Sequence, residues 1–170
     1  GTVSGSGALR HQGPGTLRLT GDNSWNGGTT LAGNGVIEIN QAAALGTAGL
    51  VWTGAGTLRT LAPLTLANAI SVAAGINGTI DTAGFDLTAS GVISGAGGLV
   101  KTGAGVLTLT NANSWAGGTT FRGGLVSFTA PAQLGGGDLI FDGGGLRWGS
   151  GNTTDISGGI TSFLAGGATF

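Results

Sequence analysis

The chain has 170 residues, 39 of them glycine, with six Lys and Arg against seven Asp and Glu and a net charge of −1. Glycines without a three-residue period and only three prolines exclude collagen, while 40% hydrophobic residues at so low a net charge exclude simple disorder. No like-charge run offers a nucleic-acid footprint, no cysteine offers a disulfide or thiolate metal site, and no apolar stretch is long enough for a membrane-spanning helix.

Short strand patterns fill the chain in order. Residues 16–20 alternate apolar and polar side chains (Leu17 and Leu19 against Thr16, Arg18 and Thr20), as do residues 36–40. Segments 50–53, 64–66, 70–72 and 79–81 continue the series, and nearly every segment is bounded by Gly, Asn or Asp. Alternation with turn residues at intervals of roughly 8–12 positions predicts β structure throughout, and helix is disfavoured residue by residue.

The second half repeats the first. Residues 13–33 read GPGTLRLTGDNSWNGGTTLAG and residues 103–123 read GAGVLTLTNANSWAGGTTFRG, an offset of 90. From 4 to 33, 17 of 30 positions are identical to their partners 90 residues on, including Leu17/Leu107, Leu19/Leu109, Asn23/Asn113, Trp25/Trp115, Gly27/Gly117, Gly28/Gly118 and Thr29/Thr119. Downstream, gaps shift the offset to 89 and 88, so that Leu45-Gly46 aligns with Leu134-Gly135 and Leu58-Arg59 with Leu146-Arg147. The expectation is one β-helix segment over 1–170, built of two repeats (about 3–92 and 93–170, the second truncated) and cut from a longer polypeptide.

A repeat of many short strands fits a solenoid. The fold expected is all-β, a right-handed parallel β-helix of roughly seven to eight coils, about four per repeat. Strands would stack about 4.8 Å apart, with Leu17, Leu19, Ile37, Ile39, Leu107 and Leu109 inward and Thr16, Arg18 and Thr20 outward. Glycines at the corners would supply positive φ or close backbone approach.

The run Ser94-Gly95-Ala96-Gly97-Gly98-Leu99-Val100-Lys101-Thr102-Gly103-Ala104-Gly105-Val106-Leu107-Thr108-Leu109, followed by Asn113-Ser114-Trp115-Ala116-Gly117-Gly118-Thr119-Thr120, resembles the autotransporter-associated β-strand repeat, also called the passenger-associated transport repeat. The first copy departs from the usual pattern at residues 8–12, where His11 stands in place of the family's lysine. The resemblance implies a β-helical segment of an exported Gram-negative passenger, displayed at the cell surface, that aids secretion and folding outside the outer membrane. Its implied partners are adjoining coils, the passenger's own C-terminal β-barrel and a host-surface ligand. It implies no catalytic, cofactor or metal residues.

Other readings attach to particular side chains. His11, the single histidine, aligns with Lys101 and is expected at a solvent-facing coil position. Asp138 and Asp142 resemble one isolated calcium nonapeptide, but turn-forming aspartates are the simpler reading. Asp81 and Asp86 are candidates for a polysaccharide-degrading carboxylate pair, although basic and aromatic companions are lacking. Trp25, Trp52, Trp115 and Trp148 could stack sugars, but the recurrence of Trp25/Trp115 favours a structural cap. The alternative function is an adhesin-type surface for host glycan or protein, with Trp52, Trp148 and Arg147 on an exposed face. Thr108 and Thr110 form a Thr-x-Thr too isolated for ice binding.

Overall fold

A computed structural model covers residues 1–170. Three parallel sheets form the faces of a solenoid, and the longest runs its length with eight strands, one per coil. The first face carries Leu9–His11, Thr29–Leu31, Leu50–Trp52, Ile70–Val72, Ile93–Gly95 and Ser114–Trp115. The second carries Thr16–Leu19, Val36–Ile39, Thr57–Thr60, Asn77–Asp81, Gly98–Thr102, Thr119–Phe121, Leu139–Phe141 and Ile160–Phe163. The third carries Leu64–Leu66, Leu87–Ala89, Val106–Leu109, Leu125–Phe128 and Gly145–Trp148. No helix is long and apolar enough to cross a membrane.

Alternation decides what each strand buries. Ile37, Ile39, Leu107 and Leu109 point into one continuous core that also holds Leu50, Trp52, Leu58, Trp115 and Phe121, while Leu17 and Leu19 pack against it half-buried in the first coil. Thr16, Arg18 and Thr20 face outward. Each inward aliphatic side chain contributes roughly 1.5–3 kcal/mol of burial, so glycine-rich corners are compatible with a stable rod. Aromatic residues form a ladder of their own: Phe121, Phe141 and Phe163 stack at 4.7 and 5.4 Å between ring centres.

The repeat does not span a whole number of coils. On the first face, Leu9 stacks on Thr29, then Leu50, Ile70 and Ile93, so four coils take 84 residues. The 90-residue offset therefore advances four coils and one face. Leu9–His11 lies on the first face, but its counterpart Leu99-Val100-Lys101 lies on the second; Thr16–Leu19 lies on the second and Val106–Leu109 on the third. The four coils per repeat expected from the sequence thus become four and about one third, and equal sequence features point in different directions around the rod.

The register position shared by His11 and Lys101 is not solvent-facing. Lys101 is fully buried, and His11, in the first coil, is half-buried with Nε2 2.9 Å from the Gly15 carbonyl. In a parallel strand the residue two after inward Leu99 also points inward, and the lysine stem is apolar enough to follow it.

Candidate functional site

The strongest constellation is a clamp that occurs twice, once in each repeat, and ties three successive coils. Asn23 lies at its centre in the first copy. Its side-chain oxygen accepts the Val3 N–H at 2.8 Å from the preceding coil, and its Nδ2 donates to the Ala44 carbonyl at 2.8 Å in the following coil. Asn113 does the same, accepting from Ile93 N–H at 2.7 Å and donating to the Gln133 carbonyl at 2.7 Å. Both asparagines also donate their backbone N–H forward, to Ala43 and Ala132. Asparagine suits this place because one amide carries an acceptor and two donors at opposite ends.

Next to each asparagine a tryptophan seals the coil. Trp25 and Trp115 are buried, and each donates its indole N–H at 3.1 Å to a threonine hydroxyl four residues on, Thr29 and Thr119 respectively. Thr29 passes the bond on to the Leu45 carbonyl at 3.1 Å. A short 3-10 turn in the following coil, Ala42–Leu45 or Pro131–Leu134, ends in a glycine that lies against the indole. A Cβ at Gly46 would stand 2.9 Å from Trp25 Nε1, and one at Gly135 would stand 2.5 Å from Trp115 Cδ2. Both glycines have positive φ, +74° and +69°. Sequence reasoning did not single out Gly46 and Gly135, although the aligned Leu-Gly pairs held the signal.

The remaining motif glycines form the next corner. Gly27 and Gly117 pass so close to the preceding coil that a Cβ would meet the Gly7 or Gly97 carbonyl carbon at 2.6 Å. Gly28 and Gly118 follow with φ of +85° and +79°, a region L side chains rarely adopt. All fourteen motif residues thus fall into inward ladders (Leu17, Leu19, Leu107, Leu109), clamps or corners.

A second site exists only in the later repeat. The three N–H groups of the Lys101 ammonium are shared among Thr82 Oγ1 at 2.8 Å and the carbonyls of Thr102, Gly103 and Gly123 at 2.7, 2.9 and 3.0 Å, which joins three coils. Loss of hydration pulls this amine down to about 8, opposed by the charges of Asp81 and Asp86. Burial of a lone ammonium is costly, and the four acceptors are what make it tolerable. At the matching place His11 has one carbonyl partner.

Outside the core, the second face carries a ladder of alternating charge. Arg18 Nε meets Glu38 at 2.8 Å, Glu38 meets Arg59 at 3.4 Å, and Arg59 Nε meets Asp81 at 2.8 Å. The hydrogen bond that Arg59 donates to Asp81 raises its guanidinium above the usual value. Two coils beyond Asp81, Arg122 faces Asp142 at 3.6 Å. Cross-strand opposite charges one coil apart support the register.

The other sequence candidates are not gathered into a site. Asp81 is engaged by Arg59, whereas exposed Asp86 caps the Val106 N–H at 2.9 Å. Asp138 is exposed and Asp142 pairs with Arg122. Trp52 is fully buried, so it cannot belong to an exposed binding face with Arg147; its indole N–H is buried without a partner. Trp148 is half-buried against Phe128, with its N–H on the Thr154 carbonyl at 3.0 Å. Burial likewise removes Trp25 and Trp115 as sugar platforms.

The clamps coincide with the stretches that match a known family. Residues 9–39 and 99–127 match the passenger-associated-transport-repeat model. The family's model thus matches the chain twice, once in each repeat. Among curated proteins, 93 residues, 54% of this chain, are 39% identical to the adhesin BmaC autotransporter of Brucella suis biovar 1 (strain 1330). The match covers 3% of that relative's length. No solved structure matches the chain. The repeats and the relative support a β-helical segment of the autotransporter passenger type.

Proposed function

We propose that this chain is a structural stretch of an exported passenger rod whose repeats fasten each new coil to the last as the polypeptide emerges from the outer membrane. The observation that carries the reading is the doubled clamp: Asn23 and Asn113 each bond both the preceding and the following coil. Such a device closes only when a neighbouring coil has formed, so each addition is downhill and back-sliding through a pore is disfavoured. The polypeptide's own C-terminal β-barrel would be the export partner, and the cell surface the destination. Nothing in the arrangement assigns a catalytic role, because the candidate carboxylates serve as ladder and corner groups.

Secretion of the passenger-length protein tests this. Asn113→Ala and Trp115→Ala should reduce surface display, read as protease-accessible passenger on intact cells, and leave barrel insertion unchanged. Equal display by both variants, with the purified segments clearly less stable, would separate rod stability from secretion and refute the proposal.

The relative's printed name favours a second reading, an adhesive surface. With Trp52 buried, the charged ladder of Arg18, Glu38, Arg59 and Asp81 offers such a surface in its place. Binding of the purified segment to host cells, lost on Arg59→Ala with the fold intact, would support that reading over the structural one.

A further inference from the structure

We propose that Asn34-Gly35 is a site of spontaneous covalent modification in the folded rod, where the asparagine converts through a cyclic imide to aspartate and isoaspartate. The chain has three Asn-Gly pairs, at 26–27, 34–35 and 77–78. Glycine has no Cβ to shield its backbone nitrogen, so each pair is chemically competent in an unfolded chain. The fold separates the three by how it holds the peptide plane between the two residues.

The reaction needs only water. The Gly35 nitrogen attacks the Asn34 Cγ; the new N–Cγ bond forms, the Cγ–Nδ2 bond breaks, and ammonia leaves with the proton that the backbone nitrogen gives up. Water then opens the imide at one of its two carbonyls. Breaking the N–Cγ bond restores the main chain and yields aspartate. Breaking the bond from nitrogen to the backbone carbonyl carbon yields isoaspartate, whose main chain runs through Cγ and is one carbon longer.

Ring closure turns the peptide plane so that its nitrogen faces the asparagine side chain, and any hydrogen bond held by that plane must first break. At 26–27 the Asn26 N–H donates to the Gly5 carbonyl at 3.1 Å and the Gly27 N–H to the Gly7 carbonyl at 3.2 Å. At 77–78 both residues lie in a strand, Asn77 opposite Gly98 and Gly78 opposite Leu99, and Thr57–Thr60 pairs on its other side. At 34–35 the plane is free: neither the Asn34 carbonyl nor the Gly35 N–H has a backbone partner, and Asn34 is exposed. The anchors stand to either side, where Ala32 N–H meets the His11 carbonyl at 2.8 Å and Val36 N–H the Gly15 carbonyl at 3.0 Å.

The site belongs to the first repeat alone. Where that repeat reads Gly33-Asn34-Gly35-Val36, the second reads Gly123-Gly124-Leu125. The corner also has little room for a longer main chain, because a Cβ on Gly35 would run into the Gly13 and Gly15 carbonyl oxygens and the His11 imidazole. Isoaspartate at 34 therefore weakens the junction between these two coils.

Ageing of the purified folded chain at neutral pH, followed by digestion and tandem mass spectrometry, reads the converted fraction at each asparagine. Asn34 should convert roughly tenfold faster than Asn26 or Asn77, whose planes must open locally before they react. In concentrated urea the three rates should converge. Asn34→Gln should remove the fast conversion and leave circular dichroism and the two slow sites unchanged. The isoaspartate form, separated by chromatography, should unfold at lower urea than the native chain. Equal rates at the three pairs in the folded chain, a folded Asn34 slower than either of the others, or an isoaspartate form as stable as the native chain would overturn the proposal.

Discussion

The two repeats build the same clamp yet differ where His11 is replaced by Lys101. In the first, a half-buried imidazole meets one carbonyl; in the second, a fully buried ammonium meets three carbonyls and a hydroxyl. The first lies in the opening coil and the second has coils on both sides. The comparison teaches that the clamp is common to both repeats, whereas the fastening beside it depends on the residue at the shared register position: an imidazole meets one carbonyl where an ammonium joins three coils.

Truncation of the tryptophans should strain this comparison most. Trp115→Ala should cost about 3–5 kcal/mol in urea unfolding, because a large buried side chain leaves a cavity between two coils. Trp25→Ala should cost visibly less, because Trp25 borders the open hollow of the first coil. Equal losses would show that position along the rod is immaterial. Next, Lys101→Met should cost about 2–4 kcal/mol, since it leaves buried carbonyls unpaired, while His11→Leu should cost under about 1 kcal/mol.

Alkaline pH sharpens the same contrast. The unfolded chain holds the Lys101 proton more tightly than the folded chain, whose value burial lowers from 10.5 to about 8. Stability of the native chain relative to Lys101→Met should therefore rise as pH climbs from about 8 to 10.5, by at most about 3 kcal/mol, and be flat below that window. Unfolding midpoints across the window measure it, and a fall with pH would mean that the four acceptors outweigh desolvation. The smallest effect separates indoles. Trp115→Phe should lose about 1 kcal/mol with its bond to Thr119, beyond the loss of Trp52→Phe, whose N–H has no partner to lose.

Much of the rod was legible in the residues. Alternation at Leu107 and Leu109 assigns them inward because successive side chains on a strand must point to opposite sides. Asn113, Trp115, Gly117 and Gly118 were visible as a group through their recurrence, and the structure gives that group its contacts. His11, expected at solvent for want of metal-site companions, is half-buried, because strand alternation from Leu9 points it inward as alternation from Leu99 points Lys101. Trp52 was misplaced because an unrepeated aromatic carries no local mark of the face it occupies. Gly46 and Gly135 were overlooked as loop residues because their partner indoles lie about one coil earlier in the chain.

From sequence alone came the repeat, the strand pattern and the solenoid, because periodicity is a local property of the chain. Only the tertiary structure decided which face each repeat occupies. A 90-residue offset laid on coils of about 21 residues leaves a remainder of one face, and that remainder depends on how many residues each corner consumes. Corner length is set by backbone close approach at glycines such as Gly27 and Gly117, where a neighbouring coil determines the path of the chain.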